Sequence, residues 1–368
     1  MKFTIKRTVL LDALAKVSRA VSLKSPLPVL TGIKFDLDNE GLLLTGSDSD
    51  IVIQTKITDN LTIEEPGAVV LSSRYILDIV RKIDSETISF QILDGALTRI
   101  EGASSQFNLN GISSVDYPRV AVDRSGTHLQ MDAMKLKELI DKTSFATSEA
   151  ETRPVLTGVN FKYTNQVLTC VATDSYRLAQ MSAPMADDLS FNIIIPKKSL
   201  VEISRIVDKD GVIDLYVSSR RVVFTIGGYT IVTRLIDGKF PDTSHLIEAS
   251  YPYELSVGTA ALLGAIDRAT LLSDSATKNI VKLTMSSDEV VLTGSSQEIG
   301  SAEEVLPEAF FKGEGSLTIS FSGRYLADAV RSINGETVRL FFTGGMRPFV
   351  VKDYEKDDNI QIVLPIRN

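Results

Sequence analysis

Basic side chains recur at equivalent points of three repeated stretches, where they could bind the phosphate groups of a polyanion. In one helical segment of each stretch, two cations stand seven residues apart, which is two turns along one helical face. The pairs are Arg74 and Arg81, Lys198 and Arg205, and Arg324 and Arg331. An earlier helical segment adds one cation at equivalent positions, namely Lys16, Lys142 and Arg268. Lys and Arg make up only 39 of 368 residues, so nine cations at nine equivalent positions indicate a common polyanion-binding surface.

Taken singly, each cation also has a simpler interpretation, a solvated helix face. Asp12 and Lys16 have the spacing of an intrahelical ion pair, and Arg81 and Arg331 lie where a cation stabilises a helix C-terminus. Repetition within a chain of net charge -8 favours the polyanion surface. Aromatic residues are not interleaved with these cations, and no zinc-ligand spacing occurs in the sequence. Such a surface should contact phosphates without reading bases, and its binding should depend strongly on salt.

Residues suited to catalysis are few. The single cysteine, Cys170, occupies a strand position where the other repeats carry glycine, which favours a core role. Only His128 and His245 could act as a general acid or base near neutral pH. Asp48 and Asp174 could be imagined as metal ligands, but they stand at equivalent positions where aspartate commonly forms turns. Walker, zinc and serine–histidine motifs are absent from the sequence, so we expect a non-catalytic protein without metal or cofactor.

The elements that carry the cations belong to a domain-sized repeat. Leu44-Thr45-Gly46 returns as Leu168-Thr169-Cys170 and as Leu292-Thr293-Gly294, at a constant step of 124 residues. The phrase PVLTG at 28–32 returns unchanged at 154–158. A repeat of this length can bury its own core. The sequence therefore predicts three similar domains, at residues 1–123, 127–248 and 251–368.

Each copy is predicted to contain two βαβββ halves. In the first copy a strand at 2–6 is followed by an amphipathic helix and by strands at 29–37, 42–45 and 51–57. A second strand and helix follow Pro66-Gly67, with strands near 88–93, 97–101 and 107–109 and a hairpin signal at Asp94-Gly95. We therefore expect an α+β fold with helices on one side of largely antiparallel sheets.

Composition is typical of a soluble protein, with 43% hydrophobic residues and a mean hydropathy of +0.10. No apolar run approaches the length of a membrane span, and residues 2–6 alternate like a strand rather than a signal peptide. A cytoplasmic location without a membrane partner is expected.

Three phrases stand in fixed order along the copies: VATDSYRL at 171–178, LIDGKFPD at 235–242 and VLPIR at 363–367. With the three tandem double βαβββ copies, they resemble the bacterial DNA polymerase III β subunit family, the β sliding clamps. The resemblance runs from Met1 to the last residues. It implies a DNA-clamp fold in which a head-to-tail homodimer closes a ring, with helices lining a central channel around duplex DNA and sheets outside.

The function implied by this resemblance is that of a processivity factor. The ring would encircle double-stranded DNA without sequence specificity and tether the replicative polymerase, the clamp loader and repair proteins through short linear peptides. Its DNA contacts carry over to Lys24, Arg74 and Lys198, two of which the repeat had already selected. The alternative is a tandem-domain scaffold that binds only proteins.

The resemblance also implies a hydrophobic peptide-binding cleft. Without it, 363–366 would be interpreted as a plain terminal strand, although Pro365 favours a strand edge or exit. Ser175-Tyr176 stands where other members have Gly-His, and His245 where others have a longer basic residue, so an altered peptide preference is expected. The matching positions are Leu156, Thr173, Ser175, Tyr176, Arg177, Leu178, Pro241, His245, Leu246, Met346, Pro348, Val363, Leu364, Pro365, Ile366 and Arg367.

The dimer contact carries over to Leu271 and Leu272 of one subunit against Phe107 and Leu109 of the other. The repeat partner of Leu271 in the first copy is Arg19, so an apolar residue replaces a charged one at a helix end. The alternative for these leucines is a buried contact within their own domain.

Overall fold

The computed structural model describes residues 1–208, 210–248, 250–272 and 279–366. Contacts divide the chain into two compact units. Unit 1 contains Met1–Leu136 and Glu202–Leu235, and unit 2 contains Lys137–Val201 and Ile236–Asn368. The three predicted domain ranges follow the sequence repeat, whereas this division follows the contacts.

The first copy carries two helices, and its elements in chain order are β1 (Lys2–Lys6), α1 (Arg7–Val17), β2 (Gly32–Leu37), β3 (Leu42–Ser47), β4 (Ile51–Ile57), β5 (Leu61–Glu65), β6 (Gly67–Ser72), α2 (Ser73–Lys82), β7 (Thr87–Ile92), β8 (Leu97–Gly102) and β9 (Ser105–Asn110). The second copy contains β10 (Thr127–Asp132), α3 (Ala133–Asp141), β11 (Gly158–Thr164), β12 (Val167–Thr173), β13 (Arg177–Pro184), β14 (Phe191–Pro196), α4 (Lys197–Ile206), β15 (Val212–Val217), β16 (Arg221–Ile226) and β17 (Tyr229–Arg234). The third copy contains β18 (Tyr253–Gly258), α5 (Thr259–Thr270), β19 (Ile280–Met285), β20 (Val290–Ser296), β21 (Gly300–Val305), β22 (Phe310–Lys312), β23 (Leu317–Ser322), α6 (Gly323–Arg331), β24 (Thr337–Phe342), β25 (Phe349–Asp353) and β26 (Asn359–Val363).

The predicted double βαβββ arrangement occurs in all three copies. Two short strands were not predicted, β5 in the first copy and β22 in the third. Each pairs with the opening strand of its own copy, β1 and β18 respectively. β5 has no buried residue along its length, although Leu61 and Ile63 alternate with polar residues as in a strand.

Within the described residues, the strands form four antiparallel sheets. Unit 1 holds a five-stranded sheet, ordered β5-β1-β7-β8-β9, and an eight-stranded sheet, ordered β10-β15-β16-β17-β4-β3-β2-β6. Unit 2 holds a nine-stranded sheet, ordered β14-β11-β12-β13-β26-β25-β24-β18-β22, and a four-stranded sheet, ordered β21-β20-β19-β23. Two strand pairs join successive copies, β17 with β4 and β13 with β26. Half of the strands of the middle copy therefore belong to the eight-stranded sheet of unit 1, and the other half belong to the nine-stranded sheet of unit 2.

The strand predicted from Val29 begins later, at Gly32. Residues Pro28–Thr31 instead form a 3-10 turn, in which the hydroxyl of Thr31 donates to the carbonyl oxygen of Pro28 at 2.7 Å. The same phrase forms the same turn at Pro154–Thr157. Proline at the first position fixes a φ that suits a helical turn, and this effect outweighs the strand tendency of the valine and leucine that follow.

The helices bury apolar residues at helical spacing. In α1, Leu10, Ala13, Leu14 and Val17 are buried, and this helix packs against α2. In the third copy α5 packs against α6 above a core that includes Leu262, Leu326 and Phe342. Cys170 is fully buried, as predicted, and burial raises the pKa of its thiol. None of the helices within the described ranges is both long and apolar enough to cross a membrane.

Candidate functional surfaces

The cations of unit 1 divide into exposed and paired side chains. Arg74 on α2 is exposed, and its guanidinium lies 5.8 Å from the ring centre of Tyr75. Lys24 is exposed in the segment that follows α1. By contrast, the Lys16 side chain is 19% exposed, and its Nζ lies 2.9 Å from Asp208 and 3.4 Å from Asp12. The predicted Asp12–Lys16 ion pair is therefore confirmed.

The electrostatics of Lys16 follow from these contacts. Burial alone would lower its pKa, but the hydrogen bond to Asp208 and the charge of Asp12 outweigh burial and raise the pKa. The ammonium is already held by two carboxylates, so a phosphate would have to compete with both of them.

The cations of unit 2 divide in the same way. Arg324 and Lys198 are exposed, whereas the side chain of Lys142 is only 13% exposed and pairs with Glu138 at 3.0 Å. Arg268 is more than half exposed and pairs with Glu304 at 2.7 Å, and the hydrogen bond that its guanidinium donates to that carboxylate raises the pKa of the guanidinium.

One feature of the repeat was missed in the sequence. The second cation of each basic pair has a carboxylate three residues earlier on its own helix. The ion pairs are Asp78–Arg81 at 3.2 Å, Glu202–Arg205 at 2.7 Å and Asp328–Arg331 at 3.4 Å. These acids stand at equivalent repeat positions, so the comparison of copies that found the cations could also have found them. Within the described ranges, Arg74 and Arg324 form no ion pair, and they are the most available cations of the set.

The predicted cleft residues form a turn, an apolar floor and a terminal segment within unit 2. In the turn after β12, Asp174 Oδ1 accepts hydrogen bonds from the amides of Tyr176 at 2.9 Å and Arg177 at 3.0 Å. Asp48 Oδ1 accepts the equivalent pair of amide bonds in the first copy, so the interpretation of these aspartates as turn-formers is confirmed. Ser175 has a φ of 77°, a conformation that favours glycine.

Arg177 is the central side chain of this turn and is 8% exposed. Its Nε donates to Asp174 at 3.0 Å, and its two terminal nitrogens donate to Asp328 at 2.6 Å and to the carbonyl oxygen of Phe145 at 2.8 Å. The guanidinium also lies 4.6 Å from the ring centre of Tyr325. These contacts satisfy a buried charge that would otherwise be costly.

The terminal segment is fixed to the turn by backbone hydrogen bonds. Strand β26 pairs with β13 so that Val363 stands opposite Arg177. The amide of Leu364 then donates to the carbonyl oxygen of Tyr176 at 3.0 Å, and the amide of Ile366 donates to Ser320 at 2.7 Å. Pro365 lies between these two donors. It has no N–H, so its position costs no backbone hydrogen bond.

An apolar cluster forms the floor of the predicted cleft. Leu156 and Leu178 are buried in a cluster against which Leu246 and Leu364 pack. Val363 instead belongs to the core of the third copy, because alternation turns its side chain to the opposite face of β26. The sequence did not identify five further members of this cluster, because buried apolar residues of this kind carry no distinguishing signal. They are Val171, Ile194, Phe240, Val350 and Ile362.

Several of the remaining predicted cleft residues are exposed. Tyr176 and Met346 are 53% and 61% exposed. The ring of Tyr176 stacks on Tyr325 with centroids 6.5 Å apart. Three further positions are exposed or half-exposed: Pro241, His245 and Pro348. Arg367 lies outside the described residues.

The predicted dimer residues are exposed or half-exposed. Phe107 is 36% exposed and Leu109 half-buried on β9, an edge strand of the five-stranded sheet. Leu271 is 72% exposed at the end of α5, and Leu272 is half-buried. The alternative of a core contact is therefore wrong for Leu271.

Sequence comparison assigns all three copies to one family. Residues 1–121, 130–242 and 246–367 match the N-terminal, central and C-terminal domains of the DNA polymerase III beta subunit. The chain is 38% identical over 377 residues to the beta sliding clamp of Bacillus subtilis strain 168, with all of both chains covered. It is also 38% identical over 375 residues to the beta sliding clamp of Staphylococcus aureus strain Mu50, covering 100% of this chain and 99% of that one.

Solved structures agree in fold. The DNA polymerase sliding clamp from Bacillus subtilis superposes with a TM-score of 0.95 at 38% identity, covering 100% of this chain and 99% of the other. The beta subunit from DNA polymerase of Streptococcus pyogenes superposes with a TM-score of 0.94 at 30% identity over the whole of both chains.

Proposed function

Because this chain belongs to the DNA polymerase III beta subunit family, the β sliding clamps, we propose that two copies close head to tail into a ring around duplex DNA. The protein is a non-catalytic clamp that tethers the polymerase to its template. The ring would hold DNA without sequence specificity, and its cleft would capture short linear peptides of the replicative polymerase, the clamp loader and repair proteins. We also propose a cytoplasmic location.

The observation that carries the DNA-binding proposal is the exposure of equivalent cations on the second helix of each copy. Arg74, Lys198 and Arg324 all lie at the first basic position and are exposed. Their neighbours seven residues later each have a carboxylate on the same helix. A phosphate near one of these helices would find an exposed cation and, two turns further along, a partly neutralised one. Such contacts are loose and sequence-independent, as sliding requires.

The peptide-binding proposal rests on the contrast between a rigid frame and an exposed rim. Arg177 is fixed by two carboxylates and a carbonyl oxygen, so the turn that carries Tyr176 is held in place before any peptide arrives. A preformed site loses less conformational entropy on binding. Tyr176 and Met346 are large side chains that are mostly exposed, a composition that suits apolar anchors of a peptide.

The dimer proposal rests on an open strand edge and an exposed leucine. β9 is the last strand of its sheet and, among the described residues, pairs with β8 alone, and an unpaired edge is suited to association between chains. Leu271 exposes 72% of its surface at the end of α5. Its replacement by lysine should convert dimers to monomers in sedimentation equilibrium, and a dimer of unchanged stability would refute its assignment to the interface.

The test of encirclement is retention on circular and linear duplex DNA. Clamps loaded on a closed circle should stay bound in high salt and leave when one cut opens the circle, because capture is topological. Equal retention on both forms would mean ordinary electrostatic binding. No salt-sensitive DNA binding at all, with peptide binding intact, would leave the protein-only scaffold as the function.

A further inference from the structure

Three arginine side chains line one small cavity on the eight-stranded sheet of unit 1. The cavity has a volume of about 140 Å³, and its polar lining consists of Arg119, Arg221 and Arg234 with Ser47, Ser49 and Asp50. None of the ten proposed DNA contacts and none of the cleft residues lines it.

The sheet itself forces two of the arginines together. Arg221 on β16 and Arg234 on β17 are direct partners in the antiparallel register, so their side chains leave the same face with Cβ atoms roughly 5 Å apart. Like charges in this arrangement repel each other. Arg119 reaches the cavity from the segment after Tyr117, which is anchored to the sheet by a hydrogen bond from the Tyr117 hydroxyl to the carbonyl oxygen of Thr45 at 3.2 Å.

The protein supplies little counter-charge at this place. Asp50 Oδ1 lies 3.8 Å from a guanidinium nitrogen of Arg234, and both side chains are mostly exposed, at 70% and 58%. Exposed pairs of this kind are weak. Within the part of the chain that the structure describes, Arg119 and Arg221 form no ion pair. Three guanidinium groups thus line a cavity that holds one carboxylate, which pairs loosely with Arg234, in a chain whose net charge is -8.

The remaining polar groups of the cavity suit an oxyanion. The Ser47 hydroxyl oxygen accepts a hydrogen bond from the amide of Ser49 at 3.2 Å, which leaves its proton available for donation. Arginine binds phosphate through two parallel N–H donors. A cavity of this size has room for several water molecules and hence for one phosphate group. We propose that this cavity is a phosphate-binding site, occupied by free phosphate or by the phosphate of a mononucleotide.

The test is calorimetric titration of the full chain with inorganic phosphate and, separately, with a nucleoside monophosphate, in chloride buffer of matched ionic strength. Saturable binding is expected for the wild type. Arg221→Gln should weaken it by about ten-fold or more, because a charge-assisted bidentate contact is lost. Asp50→Asn should tighten it, since the competing carboxylate is removed. The matched control is Arg220→Gln, which alters an adjacent exposed arginine that does not line the cavity and should leave affinity unchanged.

Several outcomes would decide the proposal. Tighter binding of the mononucleotide than of phosphate would identify a nucleotide as the ligand, and equal binding would identify the phosphate group alone. No saturable binding of either probe, or equal losses in Arg221→Gln and Arg220→Gln, would overturn the site. If Arg221→Gln fails to fold, Arg221→Lys retains the charge without the paired donors and should still bind more weakly than the wild type.

Discussion

Replacing Asp328 with asparagine should weaken peptide binding by the cleft, although no peptide contact is assigned to Asp328 itself. Its Oδ2 accepts a hydrogen bond from Arg177 at 2.6 Å, and the two side chains are 25% and 10% exposed. Arg177 fixes the turn whose Tyr176 carbonyl oxygen holds the terminal segment at Leu364. Loss of the Asp328 charge should therefore loosen both the turn that carries Tyr176 and the terminal segment that this turn holds.

The magnitude follows from the partners that remain. Breaking a fully buried ion pair by removing one partner costs about 3–5 kcal/mol. Here Arg177 keeps Asp174 and the carbonyl oxygen of Phe145, and an asparagine oxygen can still accept one hydrogen bond. We therefore expect a cost of about 1–2 kcal/mol, or roughly a 5–30-fold loss of peptide affinity if the turn bears the whole effect.

The assay is fluorescence anisotropy of a labelled cleft-binding peptide, with thermal unfolding measured in parallel. The matched control is Asp78→Asn in the first copy, which removes the equivalent acid from its pair with Arg81 but touches no cleft arginine. Asp78→Asn should leave peptide affinity unchanged. Equal affinities in the two variants would refute the positioning role of Asp328.

Three further predictions concern the DNA surface, the chain end and pH. Arg74→Gln should weaken duplex binding for all sequences alike and reduce the slope of log affinity against log salt by about one, with thermal stability unchanged; a large loss of stability would indicate a structural role instead. Deleting the residues from Leu364 onward removes the hydrogen bonds to Tyr176 and Ser320, so peptide binding should be lost while sedimentation still finds a dimer; a monomer would contradict the placement of the cleft. Burial raises the pKa of Tyr117 above its usual 10.0, so its contribution to stability is full below pH 10 and is lost as the pH rises further. Unfolding free energies measured between pH 9 and 11 should therefore fall less steeply in Tyr117→Phe than in the wild type, and parallel curves would contradict this.

Much of the fold could be predicted because the repeat tests each element three times. The helices, the βαβββ order and the Asp94-Gly95 hairpin all follow from local patterns, and Gly95 has the positive φ of 56° that such a turn needs. The errors have local physical causes. Proline turned Pro28–Thr31 into a 3-10 turn. β5 is an edge strand without a buried residue, and β22 is an edge strand of three residues that buries only Phe311.

The way the copies join could not be predicted from local patterns. The pairings of β17 with β4 and of β13 with β26 connect residues far apart in sequence, and periodicity within a strand does not specify its partner. The same limit applies to the cleft. The turn at Asp174 could be predicted from neighbouring residues, whereas the hydrogen bond from Arg177 to Asp328 joins residues that are 151 positions apart.

Asp328 also limits how strongly the two proposed surfaces can influence each other. One of its oxygens contacts Arg177 in the cleft, and the other lies 3.4 Å from Arg331, a proposed DNA contact that is 61% exposed. A phosphate that draws Arg331 away would leave Asp328 paired with Arg177 alone. DNA binding should then stabilise the turn of the cleft and strengthen peptide binding. Linkage requires peptide binding to strengthen DNA binding by the same factor. The exposed Asp328–Arg331 pair can contribute only about 0.2–1 kcal/mol, so any coupling through this carboxylate stays below about six-fold. The larger part of Asp328's role must therefore lie in holding Arg177.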